Sequence, residues 1–353
     1  MEVIVGTYEE YLIGYQLKRQ DDTYVLEQTF ADRAHSGSVR CLSTTSKVMV
    51  SGSTDEVIHI YNMNRRSDSG TLQHHSGTIT HLEFFKTTHL FSGSEDGTVC
   101  VWDTRSWVCD KTLRGHKDAI TGLSVHPSGK LMLSVSRDKS LRTWNLIKGR
   151  CAYVTNIKAV AHLVQWAPDS TFFAVVIDKR IDIYDITIGG VVHTIDFGKR
   201  VNCILFLNND VIAIGGESND IELYDISNKC TINTFTAHSN RLKALQKTTS
   251  HPDIKDNKLW LTSVSSDSYI KVWELDLLEL KSEPKLIASV DTTCRPTCLS
   301  VRTFTDSDTA AADENNSQTT DASVNVVSDE KPKTNVSKKR KNKSKEKIAN
   351  KKV

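Results

Sequence analysis

Serine, histidine and aspartate are the residue types of a nucleophile, its base and the group that orients the base. This 353-residue chain sets them at recurring intervals. His116, Ser134, Asp138 and Trp144 follow one another in one stretch, and His75, Ser92, Asp96 and Trp102 repeat the order. His35, Ser51 and Asp55 precede Tyr61 in the same way, and His238, Ser263 and Asp267 precede Trp273. A catalytic triad needs one nucleophile beside an oxyanion hole. A constellation that recurs in several copies, each anchored on an aromatic residue, reads instead as a structural network, and no catalytic residue is expected. Gly215-Gly216 falls at a strand–turn position, and no glycine-rich phosphate loop is present. His74-His75 has no Cys or carboxylate at ligand spacing, so His74 reads as exposed and His75 as structural. Cys294 and Cys298 lack a second Cys/His pair at zinc spacing. Neither a metal nor a cofactor is expected.

The elements that must position these residues are strands. "LFSGSEDGTVCVWDT", residues 90–104, reads as a hairpin turning at Asp96-Gly97 and ending on Trp102-Asp103. Comparable aromatic strand ends stand at Tyr15, Tyr61, Trp144, Tyr184, Tyr224 and Trp273, so seven units recur at 40–49 residues. Six residues before each aromatic stand Glu9, Asp55, Asp96, Asp138, Asp178, Ser218 and Asp267. His238 lies farther from its aromatic because "SHPDIKDNK" is inserted between two strands. The fourth and fifth units lack the His, have Ala174 and Ile214 for the Ser, and should rely on apolar packing alone.

The stretch Leu113–Asn145 resembles a complete WD repeat. The resemblance covers residues 1–304 and implies an all-β, seven-bladed WD-repeat β-propeller with four antiparallel strands per blade. It also implies a Trp–Ser–His–Asp hydrogen-bond network within a blade. Each unit is too small to bury its own faces, so neighbours must stack, and radial stacking leaves only short edges. Two N-terminal strands, "VIVGTY" and "YLIGYQL", and two C-terminal strands, "KLIASVD" and "RPTCLSVRTF", are expected to share the seventh blade.

In propellers of this family the narrower face around the channel is the usual partner site. The residues expected near it start the innermost strands: Arg40, Thr80, Thr121, Ala161, Asn202, Lys243 and Thr297. Others, among them Glu95, Arg137 and Glu217, precede the turn acid, and Arg241 lies nearby. Arg40, Glu95, Arg137, Asn202, Arg241 and Lys243 are the expected protein-binding rim, more a docking surface than a phosphate groove.

No apolar run approaches the length of a membrane span, and the opening "MEVIVGTYEEYLIGY" has no basic n-region of a secretory signal. Eight scattered cysteines read mostly as buried free thiols of a reducing compartment. Net charge is +2, but residues 305–330 carry seven acids and no base, and residues 331–353 carry eleven Lys/Arg and one Glu. Residues 305–353 therefore read as a disordered tail, acidic then lysine-rich. Lys338, Lys339, Arg340 and Lys341 centre a nuclear-targeting run. Without interleaved aromatics, any RNA contact there should be sequence-indifferent and salt-dependent.

Taken whole, the two complete blades, the two worn ones, the insertion in blade six and the basic tail are similar to a nucleolar family of PAK-interacting WD-repeat proteins with a maintenance-of-killer counterpart in yeast. That resemblance implies a non-catalytic scaffold in nucleus and nucleolus that assists large (60S) ribosomal subunit assembly and pre-rRNA maturation. Its implied partners are pre-60S proteins, with RNA contact through the tail and no membrane. The alternative it implies is an adaptor or negative regulator of a p21-activated-type protein kinase.

Overall fold

Antiparallel strands with one or both faces buried need apolar residues at alternate positions or in short runs. In the computed structural model, which describes residues 1–303 except 22, 255 and 256, the chain meets this need in twenty-eight strands forming seven four-stranded antiparallel sheets. No helix occurs among the described residues. The chain divides into two units, Met1–Thr309 and Ala310–Val353. The second, with the expected tail and Lys338, Lys339, Arg340 and Lys341, lies outside the described residues.

Six sheets are consecutive four-strand meanders. Blade one runs from Val39–Thr44 to Ser67–Leu72, blade two from Ile79–Phe85 to Val108–Leu113, and blade three from Ile120–Val125 to Arg150–Asn156. Blades four, five and six begin at Leu163–Trp166, Val201–Phe206 and Leu242–Thr248. The first strand of each meander is the inner one, and these inner strands touch around a closed circle completed by Pro296–Arg302. The molecule is a seven-bladed β-propeller.

The seventh blade is shared by both ends of the chain, but not two strands to two. Three strands are N-terminal, Glu2–Thr7, Tyr11–Gln20 and Thr23–Arg33, and one is C-terminal, Pro296–Arg302. Residues 23–33 pair with residues 11–20 along almost their full length. "KLIASVD" instead pairs with Tyr269–Asp276 as the outer strand of blade six. The repeat begins and ends on the third strand of a blade, so counting from aromatic to aromatic assigned each outer strand to the wrong side of the boundary.

Adjacent blades bury one another's faces. Val50, Ile58 and Ile60 of blade one join Ile79, Leu90 and Trp102 of blade two in one cluster, and Ile4 and Leu12 of blade seven meet Met49 and Tyr61 of blade one in another. Each such side chain contributes about 1.5–3 kcal/mol by leaving water, and the closed circle leaves no blade face open. Blades four and five form in full. In blade four, Tyr184 stacks on Phe173 with ring centroids 4.9 Å apart. Blade five does not rely on apolar packing alone, because the Tyr224 hydroxyl lies 2.7 Å from His193 Nε2 on the outer strand of blade four.

Candidate functional site

The four-residue networks form in the blades that carry them. In blade two, His75 Nδ1 is 2.9 Å from Asp96 Oδ2 and Nε2 is 2.7 Å from Ser92 Oγ, while Trp102 Nε1 donates to the same Oγ at 2.8 Å. Blade three repeats this with His116, Asp138, Ser134 and Trp144, and blade six with His238, Asp267, Ser263 and Trp273. In blade one His35 joins Asp55 and Ser51, and Tyr61 replaces the indole. Burial works to raise the Asp96 and Asp138 carboxyls. Hydrogen bonds outweigh it and hold both well below the usual carboxylate range, from His75 and Thr98 on Asp96 and from Ser140, Lys117 and His116 on Asp138. Burial lowers His35, His116 and His238 against the pull of their Asp partners. All four Ser residues are buried, and the Oγ of Ser92, Ser134 and Ser263 each also accepts an indole N–H. A further serine two residues before the Asp, missed in the repeat, braces the turn: Ser94 Oγ donates to Gly77 O at 2.8 Å and accepts from Asp96 N at 3.2 Å. Ser136 and Ser265 do the same.

The rim is built by β-bulges. Six inner strands skip one residue in pairing near their start, and the skipped residues are Arg40, Thr80, Thr121, Asn202, Lys243 and Thr297. A bulge leaves a residue outside the ladder and re-aims its side chain. Three of these side chains latch the next blade: Thr297 Oγ1 donates to Val39 O at 2.6 Å, Thr121 Oγ1 to Ala161 O at 2.7 Å, and Asn202 Nδ2 to Leu242 O at 2.9 Å. Asn202 is thus engaged in holding the ring. Ala161 matches Val39 and Leu242, each the residue before a bulge, and it is fully buried. The rim position of blade four therefore belongs to His162, one residue beyond the expected Ala161.

Arg40 and Lys243 stand on this rim with three neighbours. Arg200, Arg241 and Arg295 each directly precede the inner strand of blades five, six and seven. Five cations on four consecutive blades thus line one arc of the channel mouth. Among the described residues none of the five forms an ion pair; Arg241 Nε lies 3.3 Å from Ser266 Oγ, and the Arg295 backbone N–H donates to Glu9 at 3.0 Å. Partial burial lowers the Lys243 ammonium, and repulsion from Arg241, Arg295, Arg40 and Arg200 lowers it further. Across the mouth Arg137 pairs with Glu95 at 3.0 Å, an exposed contact worth at most about 1 kcal/mol. Arg200 and Arg295 were absent from the expected rim, although they share Arg241's offset in the repeat.

Inside the channel, His81 and Glu83 of blade two face a cavity of about 190 Å³ with Ser124 and Gln165. Burial pushes Glu83 up to about 8, against a Val125 backbone N–H donating at 3.1 Å, and pushes His81 down to about 4.

Known proteins share this sequence pattern. The family signature described as WD domain, G-beta repeat matches residues 25–62, 66–103 and 107–145, each ending just past an aromatic of the repeat. A Danio rerio protein named p21-activated protein kinase-interacting protein 1-like is 43% identical over 301 residues, 85% of this chain and 80% of that protein. Protein MAK11 of Saccharomyces cerevisiae is 26% identical over 329 residues, and Shk1 kinase-binding protein 15 of Schizosaccharomyces pombe is 26% identical over 286, each across 78% of both chains. By its blades and by these relatives, the chain belongs to the p21-activated protein kinase-interacting protein 1 family of WD-repeat proteins.

Proposed function

We propose that the protein is a non-catalytic scaffold of the nucleolus that serves large ribosomal subunit assembly and pre-rRNA maturation by docking pre-60S proteins at the channel mouth. The observation that carries this reading is the arc of Arg40, Arg200, Arg241, Lys243 and Arg295, which holds positive charge on the ring and, among the described residues, forms no ion pair. Such an arc selects partners presenting acidic segments and speeds their capture. The lysine-rich run around Lys338, Lys339, Arg340 and Lys341 would supply nuclear targeting and a weak, sequence-indifferent contact to RNA. Joining that contact to a rim contact raises effective concentration. The test is co-sedimentation of the full-length protein with large-subunit precursors, compared with an Arg40→Glu/Lys243→Glu variant and with a chain lacking residues 331–353. Loss from the precursors with the rim variant, and loss of nucleolar accumulation with the truncation, are expected. Free sedimentation of the intact protein would refute the reading.

A second reading is adaptor or negative regulator of a p21-activated-type kinase. It is favoured by the names of two relatives, one called kinase-interacting and one kinase-binding. Inhibition of such a kinase by the purified propeller, with no association with ribosomal precursors, would select it.

A further inference from the structure

We infer that blade two carries a zinc site formed by His74, Cys100 and Cys109. The imidazole nitrogen and the two sulfurs lie within 4.8 Å of one another. Three different segments deliver them. Cys100 is on the third strand, Val99–Asp103, and Cys109 is on the outer strand, Val108–Leu113. A register shift between Val101 and Trp102 sets Cys109 opposite Trp102, on the face that Cys100 shares. His74 arrives from the connection before the inner strand and stands edge-on to Trp102, ring centroids 5.9 Å apart. The Thr112 hydroxyl marks where they converge, 2.9 Å from His74 Nε2, 3.9 Å from Cys100 Sγ and 3.7 Å from Cys109 Sγ.

Comparison among blades shows that the network itself does not need these residues. The residue two before the aromatic is Arg142 in blade three and Lys271 in blade six. Lys271 Nζ lies 5.7 Å from the Trp273 ring and donates to Ala237 O at 2.7 Å, and the Arg142 guanidinium fills the space over Gly115. Ala237 and Gly115 precede the network histidine, as His74 does in blade two. The space that a cationic head group fills in those blades is left in blade two to an imidazole and two thiols.

The chemistry of the donor set selects the ion. Two soft sulfurs and an imidazole suit Zn²⁺, whereas Ca²⁺ and Mg²⁺ require a shell of several hard oxygen ligands, which the trio does not supply. A tetrahedral site with Zn–S near 2.3 Å and Zn–N near 2.0 Å sets its ligand atoms about 3.6–3.8 Å apart, a closing of about 1 Å or less. Binding releases both thiol protons to solvent, and the two thiolates cancel the ion's charge, so no net charge is placed in this half-buried site. His74 is exposed and Cys109 partly so, which opens an entry path and a fourth position for water.

The test is titration of the reduced, metal-free, full-length protein with Zn²⁺ against a chromophoric chelator, followed by Co²⁺ substitution. One equivalent of metal is expected, with a sulfur-to-cobalt charge-transfer band and the visible absorption of a tetrahedral site. Cys100→Ser and Cys109→Ser should each remove tight binding. Because Cys100 is fully buried, Cys109→Ser/His74→Ala tests the site even if Cys100→Ser does not fold; its circular dichroism should match the parent's. Equal zinc uptake by parent and this double variant would overturn the inference. So would a Cys100–Cys109 disulfide in protein purified from a reducing lysate.

Discussion

Glu2, the second residue of the chain, and Arg302, the last residue of the final strand, face each other fully buried, carboxylate oxygen to Nη1 at 3.4 Å. The Glu2 carboxylate also accepts from Thr29 Oγ1 at 2.7 Å and from Arg66 of blade one. Arg302 Nη2 donates to Asn64 Oδ1 at 2.7 Å. One acid thus ties the N-terminal strands, the C-terminal strand and blade one together. Glu2→Ala leaves a buried guanidinium without this partner and is expected to cost about 3–5 kcal/mol, read as a lower urea midpoint at unchanged slope. Glu2→Leu with Arg302→Met should recover part of that loss, because the pair's own net worth is small.

The blade networks predict where acid unfolds the ring. His35, His116 and His238 titrate below their ordinary 6.5 and Asp55, Asp96, Asp138 and Asp267 below 3.8 when folded. In both cases the unfolded chain takes the proton first, so stability rises with pH through these ranges. The networks' own contribution to the urea midpoint, read in a Glu83→Gln background, should hold above pH 7, fall below about 6.5 and fall more steeply below about 4. His116→Gln should flatten the upper part of that profile, and an unchanged profile would disprove the assignment.

Within one network the serine is the shared partner. Ser134→Ala leaves Trp144 Nε1 and His116 Nε2 without it in the interior. A loss of about 1–3 kcal/mol is expected in calorimetry. Ser128→Ala on the exposed turn of the same blade should change stability by less than about 0.5 kcal/mol.

Glu83 in the channel has the opposite sign. Its proton is held up to about 8 in the folded ring, against an ordinary 4.5. Stability is therefore full below about 4.5 and declines as pH rises toward 8. Glu83→Gln keeps an acceptor for the Val125 N–H and loses the charge. It should be more stable than the parent at pH 8 and equal to it at pH 5, measured by thermal melting at both.

The periodic part of the fold was legible because one packing problem is solved seven times: an aromatic on the third strand, an apolar face toward the next blade and, in six of the seven units, an acid six residues before the aromatic. Ring closure was legible in outline, but the owner of each outer strand was not. A repeat counted between aromatics carries no mark of where one sheet stops, and Thr23–Arg33 and Lys285–Asp291 are outer strands that each bury a single residue, so neither pattern shows which sheet it edges. The offset within the unit places Arg40, Asn202 and Lys243 at bulges, because the bulge recurs at one position of the inner strand. Ala161 failed where blade four's inner strand is shortest. Arg200 and Arg295 lie outside the strands, one residue before the alternation begins, and so carry no mark in the strand pattern, while His74, Cys100 and Cys109 come together across strands, where no spacing rule applies.

The way the circle closes has a consequence for synthesis. Three strands of blade seven leave the ribosome first, and the fourth is made after every other blade. Until Pro296–Arg302 emerges, Glu2–Thr7 stands as a bare sheet edge with buried-type residues on both faces. Such an edge is an aggregation hazard while it waits. The nascent chain must therefore be guarded for the time needed to translate nearly all of the propeller, and a product stopped short of residue 296 would present that edge permanently. Pairing of Pro296–Arg302 with Glu2–Thr7 is the step that removes it.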